Sequence, residues 1–228
     1  MSNRVSALLS EADELLRPEC ECWAEGFCFV AGVDEVGRGP LAGPVVAAAV
    51  VFPRGVPWPA VNDSKKLTAS EREELERAIR AVPGVSIGIG EVSAAEIDRL
   101  DILRATWRAM RLAVEQLEKV DFILVDGRPV KGLPYPSRAM VGGDGRSASI
   151  AAASIVAKVY RDRLMEEYET RYPGYGFAGH KGYGTAEHLD ALRRLGPCPE
   201  HRKSFRPVRE IIDPPPEQPD LFGAMEDE

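Results

Sequence analysis

Val45 to Phe52 (Val-Val-Ala-Ala-Ala-Val-Val-Phe) is the densest apolar run in the chain and limits the fold more than any other stretch. It is too short to cross a bilayer, and no run of 18 apolar residues occurs in the sequence. Such a segment must be hidden as a strand inside a sheet. A second apolar segment, residues 28–34, precedes it, and the turn between the two carries Gly37, Gly39 and Gly43. Buried strands joined by a short turn pair antiparallel.

The rest of the chain alternates helical and strand signals. Val5, Leu8, Leu9, Ala12, Leu15 and Leu16 have helical spacing over residues 5–17, ended by Pro18. Thr68-x-x-Glu71 and Ser70-x-x-Glu73 are overlapping capping boxes, so a helix is predicted over 69–81, broken by Pro83-Gly84. Residues 85–92 read as a third strand. Ser93 opens further helix, on which Ile97, Leu100, Leu103, Trp107, Met110, Val114 and Leu117 form one continuous apolar stripe. Residues 122–125 and 138–142 read as a fourth and a fifth strand. A helix with an alanine-rich start fits 147–171, and another fits 185–195. Strands mixed with long helical crossovers predict an α/β fold: a mixed sheet of about five strands, helices on both faces and a helical C-terminal region.

Charge divides the chain into three parts. The net charge is −7; removing the −4 of residues 1–28 and the −7 of residues 210–228 leaves +4 on residues 29–209. A basic body between acidic ends suits a phosphate backbone as partner. We therefore expect an N-terminal helical extension over 1–28, a catalytic domain over 29–209 and an acidic, disordered tail over 210–228. The spacing of Cys20, Cys22, Cys28 and Cys198 does not match a zinc site, so reduced thiols are expected. His180, His188 and His201 are spread out and read as surface or hydrogen-bonding residues. Arg4 is followed by Glu11, Asp13 and Glu14, which is no secretory signal; a cytoplasmic protein is expected, with no membrane segment. Nothing in the sequence suggests more than a monomer.

Three acidic positions share one setting. Asp34 and Glu35 follow Val30–Val33, Asp126 follows Phe122–Val125, and Asp144 follows Ala139–Gly143. Each lies at the carboxyl end of an apolar stretch, beside glycine, where α/β sheets bind ligands. Taken singly, Asp126-Gly127 and Gly143-Asp144-Gly145 also read as turns. Together with Asp34-Glu35 they read as one site. Four carboxylates repel one another unless cations intervene, and Mg²⁺ or Mn²⁺ prefers such hard oxygen donors. Two ions so held can drive in-line displacement at phosphorus without a cysteine or histidine nucleophile. Neighbouring strand residues point to opposite faces, so Asp34 and Glu35 share a site only if the strand ends or bends between them.

Asp-Glu-Val-Gly-Arg-Gly (34–39), Asp-Ser-Lys-Lys-Leu (63–67), Val-Asp-Gly (125–127), Ile-Ala-Ala-Ala-Ser-Ile-Val-Ala-Lys-Val (150–159), His-Lys-Gly-Tyr-Gly-Thr (180–185) and His-Arg-Lys-Ser-Phe-Arg-Pro-Val (201–208) occur in that order. Over about residues 29–208 the chain resembles bacterial ribonuclease HII, a type 2 ribonuclease H. The resemblance implies an RNase H-like fold and Mg²⁺- or Mn²⁺-dependent cleavage of RNA in RNA–DNA hybrids. It also implies incision on the 5′ side of single ribonucleotides embedded in duplex DNA, leaving 3′-hydroxyl and 5′-phosphate ends. Asp34, Glu35, Asp126 and Asp144 fall on the family's four acidic positions. Gly37, Arg38 and Gly39 fall on the motif that contacts the 2′-hydroxyl at the junction, and Tyr183 on the tyrosine that packs against the following sugar. Ser64, Lys65, Lys66, Lys158, Arg161 and Lys181 are candidate phosphate contacts, with Lys66 and Lys181 preferred because they sit inside motifs. The chain has Gly142 where members often carry lysine.

In the tail, Gln218-Pro219-Asp220-Leu221-Phe222 resembles the short peptides that dock on bacterial sliding clamps, with Gln218, Leu221 and Phe222 as anchors. The alternatives are a ribonuclease HIII-type nuclease and a non-catalytic hybrid-binding module. A P-loop nucleotide enzyme is excluded, since no Gly-x-x-x-x-Gly-Lys-Ser/Thr motif occurs.

Overall fold

The computed structural model describes residues 14–59 and 67–214. The apolar run forms β2 (Val45–Val51), every residue of which is buried. β1 (Val30–Val36) and β3 (Ser86–Val92) flank it, both antiparallel. β4 (Phe122–Asp126) and β5 (Ser137–Met140) extend the sheet beyond β1 in parallel, giving the order β3-β2-β1-β4-β5. Parallel pairing of β1 and β4 needs a crossover.

Residue alternation divides the sheet between two helical layers. Ala31, Val33, Ala47 and Ala49 face one core with the crossover helix α4 (Ile102–Glu115). Val46, Ala48 and Val50 face another with α2 (Ala69–Arg80) and α5 (Ala148–Arg171). Small residues let the helices approach closely. A Cβ at Gly88 or Gly90 would stand 2.0 Å from the carbonyl oxygens of Ala113 or Ala109, so α4 rests on the bare backbone of β3. The far half of α5 carries a third core with α6 (Phe177–His180), α7 (Ala186–Leu195) and α8 (Arg206–Ile212), built around Met165, Phe177, Leu192 and Val208.

Thr68 and Glu71 form the expected capping box at the start of α2. The continuous stripe is in fact two helices, α3 (Ala94–Leu100) and α4, divided at Asp101. Asp101 takes a left-handed φ of 74°; its N–H donates to the Ile97 carbonyl and its Oδ1 accepts from the Arg104 N–H at 2.9 Å. One residue thus closes one helix and caps the next; Ile97, Met110 and Val114 of the stripe are buried, while Leu103, just past the break, is 47% exposed. Residues 5–13 of the first expected helix lie outside the described residues. The described chain breaks at Leu16, and Pro18 opens a helix that the spacing did not predict, α1 (Arg17–Ala24). At that position its missing N–H costs nothing. Among the described residues no helix is long and apolar enough to cross a membrane. None of the four cysteines forms a disulfide.

Glu19 ties α1 to the sheet's main helix. Its buried Oε1 accepts from Ser147 Oγ (2.5 Å), Ser149 Oγ (2.6 Å) and Ser149 N–H (3.0 Å) at the start of α5. Removing the acceptor strands three buried donors. Glu19→Ala should therefore lower the unfolding free energy by about 3 kcal/mol, and Glu19→Gln, which keeps one oxygen, by less. Urea denaturation checks this; a wild-type midpoint for Glu19→Ala would remove α1 from the account of stability.

Candidate active site

Asp34, Glu35, Asp126 and Asp144 all line one cleft of about 510 Å³. They come from β1, the end of β4, and a 3₁₀ turn (Gly143–Gly145) that follows β5. β1 does not end between Asp34 and Glu35, contrary to the condition set by the sequence argument, but runs on to Val36. Pairing of β1 with β4 stops at Val33–Val125, while pairing with β2 continues to Val36–Val46. The last residues of β1 therefore have an open flank, and both acids reach the cleft there. Asp126 is aimed by the Gly143 N–H, which donates to its Oδ1 at 2.6 Å. Asp34 Oδ1 accepts from the Glu35 N–H at 2.7 Å, and Glu35 pairs with Arg38 at 3.0 Å.

The turn after β1 forms the neighbouring wall. Gly37 (φ 90°) packs so tightly that a Cβ would stand 2.3 Å from Arg161 Nε and 2.8 Å from the Pro44 carbonyl oxygen. Gly39 faces Tyr183: a Cβ there would lie 3.5 Å from ring atom Cε1. Tyr183 is half exposed and lines the cleft with Gly37, Arg38 and Gly39. Lys158 also lines it, its Nζ 2.6 Å from Asp162 Oδ1. Lys181 does not; its Nζ is 2.7 Å from Glu166 Oε1. Arg161 requires correction as a phosphate contact. It is fully buried and donates to the carbonyls of Pro44, Ala42 and Lys181. Ser64, Lys65, Lys66, Gln218, Leu221 and Phe222 lie outside the described residues.

A family model for ribonuclease HII matches residues 31–208. The chain belongs to the ribonuclease HII family. It is 55% identical over 197 residues to the ribonuclease HII of Chlamydia caviae, across 85% of this chain and 92% of that one. The crystal structure of ribonuclease H2 from Pyrococcus horikoshii superposes with a TM-score of 0.68 at 28% identity, covering 80% of this chain and 96% of that one. An Archaeoglobus fulgidus chain from the structure of a PCNA:RNase HII complex gives 0.63 at 26% identity, covering 76% and 92%. Ribonuclease HII membership makes the chain an enzyme, a ribonuclease H acting on RNA–DNA hybrids.

Three features of this ribonuclease HII site were not legible as site features in the sequence. Ser154 hydrogen-bonds Asp34, and Arg72 lines the cleft from α2. Buried Arg202 donates to the carbonyls of Gly37, Arg38 and Gly43. The three histidines gather behind Tyr183: His188 bonds the Tyr183 carbonyl oxygen at 2.9 Å and His201 Nε2 at 3.1 Å, and His180 stacks on His188. The clue for Arg202, His180 and His201 was their place inside the 180–185 and 201–208 motifs; His188 gave none.

Burial and the charge of Glu35 push the Asp34 carboxyl up to about 8 despite the Ser154 hydrogen bond. Burial also raises Glu35, against the pull of Arg38. The four acids are not closed round a point: among the described residues no three His, Cys, Asp or Glu side chains form a finished ion cage. Their chemistry nevertheless fits divalent cations, because an all-oxygen set that resists ionisation gains most from a bound positive charge. Since Asp34 titrates near 3.8 when unfolded, metal-free protein loses stability as pH rises through the window from about 4 to about 8. Asp34→Asn removes that penalty. In metal-free buffer its melting temperature should exceed wild type by about 4 °C or more at alkaline pH, and the two should converge in acid. Thermal melts across pH check this, and a constant difference would contradict the buried ionisation.

Proposed function

We propose that this ribonuclease H is a divalent-metal-dependent endonuclease that incises RNA–DNA hybrids and cuts 5′ to single ribonucleotides in duplex DNA. The products are 3′-hydroxyl and 5′-phosphate ends, and residues 29–209 are the catalytic body. The observation that carries this reading is the cleft itself. One wall bears the four carboxylates, and the adjoining wall bears the Gly37–Gly39 turn and the Tyr183 ring. Mg²⁺ or Mn²⁺ held by Asp34, Glu35, Asp126 and Asp144 would activate the attacking water and stabilise the departing 3′ oxygen.

The chain's own groups supply the rest. Asp126 presents one carboxylate oxygen to the cleft because the other is occupied by the Gly143 N–H. Glu35 is held by Arg38, so a single ion pair links the acidic wall to the turn. The turn approaches a sugar edge closely because Gly37 and Gly39 carry no side chain, and a 2′-hydroxyl is the only group separating a ribonucleotide from its DNA neighbours. The Tyr183 ring supplies a flat apolar face for the next sugar. Lys158 on the rim is suited to a phosphate, and Ser64, Lys66 and Lys181 are further candidates.

Asp126→Asn keeps an oxygen for the Gly143 N–H, so the fold should survive while turnover falls by about two orders of magnitude or more. Hybrid affinity should change little. A labelled duplex with one ribonucleotide, digested with Mg²⁺, with Mn²⁺ and with EDTA, tests both parts. Near-normal cleavage by Asp126→Asn, or undiminished cleavage in EDTA, would defeat the metal mechanism.

We also propose that the tail segment 218–222 docks on a DNA sliding clamp through Gln218, Leu221 and Phe222. Support comes from the motif and from the structural neighbour solved in complex with PCNA. Helix α8 ends at Ile212, so a chain cut after Pro214 keeps it intact. Titration with the clamp should show binding by the full chain and at least about tenfold weaker binding by the shortened one. Equal affinities would rule the tail out.

A further inference from the structure

Two arginines lie buried beneath the cleft wall, and among the described residues neither forms an ion pair with a carboxylate. The hydrogen bonds donated by both side chains go to main-chain carbonyls. Arg202 Nη2 donates to Gly37 at 2.5 Å and Gly43 at 2.8 Å, Nη1 to Arg38 at 2.9 Å, and Nε to Gly43 at 2.9 Å. Arg161 donates to Pro44 (3.0 Å), Ala42 (3.1 Å) and Lys181 (3.0 Å). Burial and the neighbouring Arg161 pull Arg202 down to about 9, which leaves it protonated at neutral pH. Arg202 also lies over the Phe205 ring at 5.0 Å and feels the charge of Asp98, yet burying guanidinium groups remains costly, and apolar residues there would serve packing alone at lower cost.

Their geometry serves the cleft. In a trans peptide the carbonyl and the following N–H point in opposite directions. With the Gly37 and Arg38 carbonyls drawn onto Arg202, the N–H groups of Arg38 and Gly39 are turned away from the buried guanidinium. Arg161 then joins this turn to the other jaw. It bridges Ala42 and Pro44 to Lys181, two residues before Tyr183, and the Leu41 N–H donates to the Gly182 carbonyl at 2.8 Å beside it. The spacing between the amides of the turn and the Tyr183 ring is therefore set by guanidinium forks of fixed shape.

We propose that Arg161 and Arg202 are positioning residues for substrate selection, holding the Gly37–Gly39 turn and Tyr183 in the register that picks out a single ribonucleotide followed by DNA. This rests on the junction reading of that wall given above. Lysine keeps the charge but cannot span several carbonyls in a plane. In the full chain, Arg202→Lys and Arg161→Lys should therefore misalign the jaws without removing the acids or the cleft's cations.

The test compares kcat and KM on two Mg²⁺-containing reactions: a DNA duplex with one ribonucleotide, and an all-RNA strand paired with DNA. Each lysine variant should lower the single-ribonucleotide to hybrid ratio of kcat/KM by roughly tenfold or more, with the change in kcat rather than KM. A purely structural role would reduce the active fraction and scale both substrates alike; that result overturns the proposal. So does failure of both variants to fold in the cold by circular dichroism, since the arginines would then serve stability alone. Tyr183→Ala is the control for the underlying reading. If it leaves the ratio unchanged, the junction reading itself falls. If it lowers the ratio while the folded lysine variants do not, only the role of the arginines is lost.

Discussion

Strand β1 carries two carboxylates into a place where little water can reach them, and the surrounding structure follows from holding them there. Asp34 is buried, its charge is opposed by Glu35 and Asp126, and it is relieved by an amide and by Ser154. Those supports work only if α5, which carries Ser154, stays fixed against β1. Gly32 makes that possible: a Cβ there would stand 2.1 Å from the backbone of Ser149. Glu19 pins the same end of α5 from the other side through Ser147 and Ser149. A cluster of like charges thus sits on the stiffest part of the molecule, where it cannot relax by spreading apart.

The opposite wall solves a different problem with the opposite charge. The turn after β1 has glycines where it lines the cleft, so it has little side-chain packing of its own. Its shape is imposed from beneath by arginines that gather its carbonyls. Arg38 is the exposed member of the set and links this wall to Glu35. Cations thus act at two depths: Arg38, Arg72 and Lys158 line the cleft with the acids, and Arg161 and Arg202 shape its rim from underneath.

The sheet was legible because its signal is local. The buried run of β2, the capping box at Thr68 and the alanine-rich start of α5 each announce themselves within a few residues, and the motifs placed the acids at strand ends. Four other features were not legible, for physical reasons. The break at Asp101 turns Leu103 out to solvent but leaves Ile97, Met110 and Val114 buried, so the apolar spacing alone does not reveal it. Pro18 is a helix breaker or a helix opener according to which side the next turn forms. Arg161 read as a phosphate contact and Arg202 drew no reading of its own, because their partners are backbone oxygens, which every residue has. The histidines lie far apart along the chain and meet only when α6, α7 and the 198–201 turn fold over α5. Open-flanked β1 also removed an objection that alternation alone had raised: a strand that loses one neighbour early exposes both of its sides to the same space.

The mixed sheet has a temporal meaning. Asp34 and Glu35 belong to an antiparallel hairpin made of near neighbours in sequence, while Asp126, at the end of parallel β4, and Asp144, in the 3₁₀ turn after β5, arrive only after the α3–α4 crossover has been laid down. Long-range parallel pairing forms late because chain entropy must be surrendered first. A ribosome-bound fragment that already displays the hairpin therefore holds half of the acid set and lacks the other half. The acid cluster is thus complete only once the turn after β5 has closed on the end of β4, where the Gly143 N–H meets Asp126.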